Sequence, residues 1–596
     1  MTREYFVNSI RDFINTQTSR CSLTNDISEI IDELSTLLGE NLINLSCCTR
    51  NSSPFQLPEE FTGEFSDLSD FNSSCHTENT SCHKECCQNN GSIKRSNCKW
   101  NYFKNITCTP GFDSCDLLNG RQNNCACSFE DFDGYIYVGT GRNIPYTAIK
   151  RTIECASVPL DYTPLCPDMR AEIWRYNKNG CSPWQRVFKS SCNCSQDTDN
   201  ITEISSIVSF ASINLKPALY AVGSSPDGIR ILKSTNGIDW FSITSNLTCS
   251  SSTGKMIVYR NRIYLSVISY DEDCHSLLYS SKDPEICGWV LETPSSCDKC
   301  RNPFGAITSM ASFNNHLYIG TYSEKGFNIW RTNKEIPKVD DWKLVIDKGA
   351  GDAVNTTAVS LVRFRDNLYV GTGNMRRDLL NFIFPKGAEI IRIDKRDNWD
   401  IIVGGPAVKK TEPVSGRRNR PLSRIDNGFF NPYNIFISQM AVYNDRLFIG
   451  TFDNSTNVAP IYEFLLKNRE LLIDIYHEDT IKILTLFIKL QLKLFAVIKN
   501  HFGFDLFTTN NGLNFRLIDS YGFDDSDNTG ISTIFISNDN RMYIGTFNPF
   551  LGTKIYKLSM MPCHSRLAPC PHKAPPLPPH NIKSRDSQNF CIIWTK

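Results

Sequence analysis

The sequence predicts an all-β chain, a β-propeller of seven or eight blades, behind a helical and cysteine-rich N-terminal region. Two observations carry this. First, a strand motif recurs: YIYVGTGRN at residue 135, ALYAVGSS at 218, RIYLSVIS at 262, HLYIGTYS at 316, NLYVGTGN at 367, RLFIGTFDN at 446, KLFAVIKN at 493 and RMYIGTFNP at 541. Successive copies lie about 45–55 residues apart, with longer gaps after the first and fifth, which is the period of a four-stranded blade. Second, each copy is followed by another short strand: AEIWRY, IRILKS, SLLYSS, FNIWRT, AEIIRI, PIYEF, FDLFTT and TKIYKL. Segments such as AITSMASF, TAVSLVRF, FISQMAVY and GISTIFIS precede the hairpins, and WKLVID and WDIIVG supply fourth strands. A lone sheet of this kind cannot bury both faces, so the set must close on itself.

The rest of the chain is ordered around that repeat. Residues 1–46 read as a helical segment, because Asp26–Leu45 carries apolar side chains at 27, 30, 31, 34, 37, 38, 42 and 45, with Asn25 or Asp26 as N-cap. Residues 47–128 read as a cysteine-rich module held by its bridges, and 129–560 as the repeat array. Residues 561–580 form a proline-rich linker. The most apolar run, Ile481–Ile498, is interrupted by Lys482, Lys489, Gln491 and Lys493 and alternates from Ile488 to Leu494, which predicts a strand and no membrane span.

Lysine plus arginine equals aspartate plus glutamate at 63 each, so no global field favours nucleic acid or acidic membranes. Of 25 cysteines, most crowd into the first half, which points to disulfides outside a reducing compartment. Zinc is the rival for His76 and His83 among Cys75, Cys82, Cys86 and Cys87, but no paired CxxC spacing supports it, and no metal is expected there. Glycosylation acceptors occur at Asn44, Asn51, Asn72, Asn79, Asn90, Asn105, Asn193, Asn200, Asn246 and Asn454; an eleventh, Asn355, falls at a repeat corner too confined for a glycan. The expected location is secreted or extracellular. MTREYFVNSIRDFINTQ lacks the apolar core of a signal peptide, which suggests a missing start.

The turn at Thr508–Phe515 resembles an Asp-box, the S-x-D-x-G-x-T-W hairpin of sialidase-like propellers, with Asn510 in the aspartate place; Ser234–Trp240 is similar but one residue shorter. The Asp-box is structural in its families, so the resemblance implies fold rather than chemistry. At the other end, residues 581–596, after the proline lead-in, resemble the first strands of a fibronectin type III domain.

Two series of polar residues are expected on one face, around the axis of the repeats. Arg142, Asn143, Asn374, Asp453 and Asn548 follow the G-T motif; Asn355, Asn434 and Asn528 precede inner strands. Such a ring suits a sugar or a cation, although asparagine at these corners also caps its own turn. Asp131–Gly134 and Asp271–Asp273 are calcium candidates set against solvated turns, and no other cofactor is expected.

The functional expectation is an extracellular binding or adhesion module that presents a rigid surface to a glycan or protein partner. The basic segment 405–434, with Arg417, Arg418 and Arg420, is the preferred contact, against a solvated loop as the plain alternative. A sialidase-like or other glycoside hydrolase is the enzyme alternative. The sialidase resemblance implies three arginines, but the RIP motif is absent: Arg142-Asn143-Ile144-Pro145 has one residue too many, and Arg301 and Arg363 lack supporting context. His275, His316, His477 and His501 have no nucleophile-elbow context.

Overall fold

Short turns set the rhythm of the chain. Asp133 with Gly134, Arg260 with Asn261, Asn314 with Asn315, and Asn444 with Asp445 all have positive φ, the backbone that lets a two-residue turn join twisted antiparallel strands. The computed structural model describes residues 30–34, 103–144, 168–179, 183–191, 201–212, 216–225, 228–243, 247, 254–267, 277–293, 303–339, 341–374, 385–467, 478–498 and 502–559. Residues 30–34 are helical with Ile31 and Leu34 buried, inside the predicted amphipathic stripe.

The described chain is predominantly β. Its strands fall into seven antiparallel units of four, each a simple meander: unit one within 123–189, two within 203–243, three within 256–291, four within 306–346, five within 357–403, six within 434–519 and seven within 530–558. The fourth strand of unit seven is Phe103–Asn105, which pairs with Ile555–Leu558 so that Phe103 lies opposite Leu558. The second strands are buried almost throughout, being flanked by strands on both edges and by neighbouring units on both faces; YIYVGTGR and ALYAVGSS are examples.

Seven apolar clusters lie one to each seam between successive units, and one of them joins unit seven to unit one through Tyr543 and Ile555 against Ala126, Phe129 and Trp174. The G-T motif explains itself at these seams. A Cβ on Gly139, Gly320, Gly371, Gly450 or Gly545 would fall 2.5–2.8 Å from Ile204, Ala358, Ile437, Ile531 or Ala126 of the next unit. The following threonine ties second strand to third: Thr140 accepts from Glu172 N, Thr372 from Glu389 N, Thr451 from Asp505 N and Thr546 from Lys554 N. One seam inverts the pattern. Val222 takes the glycine place in unit two, and Gly254 stands where the next unit elsewhere has isoleucine or alanine.

Several expectations are corrected. Residues 493–498 of KLFAVIKN form not a strand but the end of the helix Glu478–Ile498, and PIYEF lies within the helix Ser455–Lys467. Burial at Ile481, Leu484, Phe487, Ile488, Gln491, Leu494 and Phe495 follows the 3.6-residue period, and the local alternation from Ile488 gave way to it. Arg446–Asp453 therefore pairs directly with Leu506–Thr509, and eight expected hairpins become seven. The boundary at 128/129 also shifts, since Phe103–Asn105 and Asn123–Phe132 both belong to the strand array. In the Asp-box-like turn, Asn511 rather than Asn510 accepts from the backbone two and three residues on, as Asn236 does in Ser234–Trp240, so the two turns are of equal length. Each turn's glycine, Gly512 or Gly237, packs on the hydroxyl of Tyr369 or Tyr137 in the preceding unit.

Candidate binding face

In a four-stranded meander, the connection from second to third strand and the connection to the next unit emerge on the same side. The described ends of the longest connections emerge there: 143–171, 374–389, 404–433 and 454–505. Among the described residues the opposite side carries mainly short turns, whereas the long connections offer more room for variation.

On that face a motif recurs that the sequence reading missed, G-x-x-[D/N]-x-x-N: Gly349 to Asn355, Gly428 to Asn434 and Gly522 to Asn528. The glycine has φ near +60°, as does the residue after it, and the asparagine six positions on donates Nδ2–H to the glycine carbonyl at 2.9–3.1 Å. Unit one has a variant in which Asn123 donates to the carbonyl of Gly111. The signal was visible in sequence, but its spacing of roughly 80–95 residues hid it beneath the shorter strand repeat.

The same asparagines then meet a carboxylate at the head of the third strand. Asn123 donates to Glu172 at 2.9 Å, Asn355 to Glu389 at 2.8 Å and Asn434 to Asp505 at 2.8 Å. In unit five the carboxylate becomes a hub. Glu389 accepts from Lys386 at 2.9 Å and from both terminal nitrogens of Arg418 at 2.6 and 3.0 Å, and Lys386 also reaches Asp352 at 2.7 Å. The Glu389 and Asp352 side chains are fully buried. Burial alone would raise Glu389, but the charges of Lys386 and Arg418 outweigh it and hold its pKa below the usual range. Unit one has an equivalent hub at Glu172, with Arg142, Arg186, Lys189 and the Trp174 indole.

The predicted ring of polar residues is thus turned largely inward on this face. Arg142 is 1% exposed and donates to Asn119, Asn123 and the Asp168 carbonyl. Asn143 is half-buried on Gln122 and Asp168. Asp453 accepts from Asn431 and from Ser455 N; Asn548 accepts from Phe550 N and Leu551 N and donates to Asn528. Asn355, Asn434, Asn528 and Asn548 are all buried, so the Asn355 acceptor site is closed to a glycan. Asn374 is half-buried, its N–H on the Ile435 carbonyl.

Elsewhere, Asp131 is engaged by Lys178 at 2.7 Å and by Asn538 N. Arg363 is exposed near the end of its strand, beside the 365–366 turn. Arg301, Asp271–Asp273, His275, His477, His501, the zinc candidates at 75–87 and the acceptors Asn44, Asn51, Asn72, Asn79, Asn90, Asn193, Asn200 and Asn246 lie outside the described residues, as does 581–596. Asn105 is exposed and Asn454 half-buried. Among the described residues no group of three metal-ligating side chains converges, no helix is long and apolar enough to cross a membrane, and one disulfide occurs, Cys125–Cys127.

What the face does present is the connection 404–433. It is anchored beneath by carboxylates: Asp352 accepts from Val408 N and Lys409 N, Asp347 from Val414 N and Ser415 N, and Glu389 from Arg418. Arg418 therefore belongs to the anchor. Arg417, Arg420 and Arg424 are exposed, together with Val414, Leu422 and Phe430.

One group at the inner strands titrates near neutrality. Glu130 accepts from Asp131 N at 3.0 Å and from Ser209 N of unit two at 3.1 Å, yet burial lifts its pKa to about 7. Because that value lies above the ordinary 4.5, the folded protein holds the proton more tightly than the unfolded chain does. The contribution is fully present below pH 4.5 and is lost as pH rises through 7, at most about 3 kcal/mol over that window. Thermal melts at pH 5 to 8 should show a decline in Tm that Glu130→Gln flattens; parallel profiles would refute the assignment.

No family model matches the chain, and no curated protein matches it. Among solved structures, the extracellular domain of a hybrid two-component system from B. thetaiotaomicron aligns with a TM-score of 0.39 and 13% identity, covering 76% of this chain and 39% of that one. The chain thus spans well under half the length of that structure, and a likeness of this degree carries no argument about function.

Proposed function

We propose that the seven units close into a seven-bladed β-propeller that works as an extracellular binding module, its insertion-bearing face presenting the 404–433 connection to an acidic glycan. Closure is supported by the pairing of Phe103–Asn105 with Ile555–Leu558 and by the apolar seam between units seven and one. The Cys125–Cys127 disulfide and the exposed acceptor Asn105 fit an oxidising, secretory compartment.

The observation that carries the binding reading is the anchoring of 404–433. A long surface connection held by buried carboxylates loses little entropy on binding, and it sets three arginines beside exposed apolar side chains. The enzyme reading has no comparable support, since Glu172, Glu389, Asp352 and Asp453 are buried in hydrogen-bond networks on this face. Retention on immobilised heparin, as a probe polyanion, tests the proposal. Arg417→Glu, Arg420→Glu and Arg424→Glu combined should weaken binding at least about tenfold, or about 1.4 kcal/mol, with Tm unchanged. Unchanged retention would remove the reading.

A further inference from the structure

We propose that Cys125–Cys127 is a thiol-sensitive pin for the seam between the last and first units, so that ring closure responds to redox state. The inference rests on the closed-ring reading above.

A bulge interrupts the inner strand at the same place in six units: between 126 and 128, 204 and 206, 307 and 309, 358 and 360, 437 and 439, and 531 and 533. The extra residue is Cys127, Ser205, Thr308, Val359, Ser438 or Ser532. Three of the hydroxyls donate across a seam: Ser205 to the Gly254 carbonyl at 2.7 Å, Thr308 to Ala358 at 2.8 Å and Ser532 to Ala126 at 2.9 Å. Unit one has a sulfur where these have a hydroxyl, and there the bulge is closed covalently onto Cys125.

The residue enclosed by that bond is Ala126, and Ala126 is the contact point of the closing seam. Its carbonyl accepts from both Ser532 and Thr533 of unit seven, each at 2.9 Å. Its methyl occupies the space left by Gly545, 2.8 Å from where a Cβ there would sit. Cys125 lies opposite Phe547 of unit seven. The disulfide therefore fixes the orientation of the one carbonyl on which two hydroxyls of the last unit converge. Freed, the bulge has no hydroxyl of its own to hold it.

Cys127 is half-buried and Cys125 buried, which sets the order of exchange. In oxidation by a small disulfide, the Cys127 thiolate attacks one sulfur, forms a mixed disulfide and releases one small thiolate. The Cys125 thiolate then attacks Sγ of Cys127 and expels the second. Two electrons pass to the small disulfide, and the two thiol protons end on its products; a small dithiol reverses the sequence.

Amide hydrogen exchange on the full chain, with and without dithiothreitol, tests this at 530–547 and 123–132, using the seam between units five and six as an internal reference. Reduction should speed exchange at the closing seam about tenfold or more relative to that reference. In the double variant Cys125→Ala/Cys127→Ser, whose new serine restores a bulge hydroxyl, the reductant should leave exchange there unchanged, although other disulfides are reduced equally. The same acceleration in both proteins would overturn the proposal, as would peptide mapping that joins either cysteine to a third. Closing-seam amides unprotected even in the oxidised protein would overturn the ring reading itself.

Discussion

Glu389→Ala is expected to destabilise the protein by about 3–5 kcal/mol, measured by chemical denaturation at pH 7. The carboxylate is fully buried and receives Lys386, Arg418 and Asn355. Its removal leaves Lys386 with Asp352 and the Asn355 amide oxygen, and it strands the Arg418 guanidinium, whose burial is compensated chiefly by this carboxylate. The loss should be felt twice, because Arg418 also holds the 404–433 connection through the Gly405 carbonyl. The effect has a pH signature. The folded pKa of Glu389 lies below the unfolded value, so its contribution is present above about pH 4.5 and disappears as pH falls through the folded value. Wild type and variant should therefore converge in acid. A difference below about 1 kcal/mol at pH 7 would mean that the hub is not a stabilising element.

The second large effect is steric. Gly371→Val should cost about 3 kcal/mol, because the new Cβ falls 2.7 Å from Ile437 Cγ2 and 2.5 Å from Ser360 Oγ. Ile437→Gly should cost at least as much through the cavity it opens. The double variant copies the residue placement at the seam between units two and three, where Val222 takes the glycine place and Gly254 stands at the matching position of the next unit. Its cost should fall short of the sum of the single costs by about 2 kcal/mol or more, read from a double-mutant cycle. Strict additivity would show that the seam glycine serves backbone conformation rather than close approach.

The two examples show which features were legible beforehand. The recurrence of the G-T motif is plain in the sequence, but the reason for its glycine is a neighbour in the next unit that sequence does not name. Strand order groups the asparagine corners at one end of the strands, and their side chains donate to the glycine carbonyls of their own turns. Their carboxylate partners were not legible, since Glu172, Glu389 and Asp505 lie 34–71 residues away in the chain. Arg418 was grouped with Arg417 and Arg420 because the three are close together in a basic segment; only Glu389 beneath it separates an anchor from its exposed neighbours.

What the sequence determined by itself was local. Alternation of apolar residues, turn residues that accept positive φ and a fixed period specify four-stranded meanders wherever they occur, because backbone pairing and hairpin geometry depend on near neighbours. What the tertiary structure decided was everything set by the partner surface. It made Glu478–Ile498 a helix, since burial at helical spacing was available to it, and it borrowed Phe103–Asn105 from beyond the expected boundary to complete the last unit. It also turned the polar ring inward. A buried charge or amide is tolerated only when every partner is in place, and those partners are assembled by the fold from distant parts of the chain.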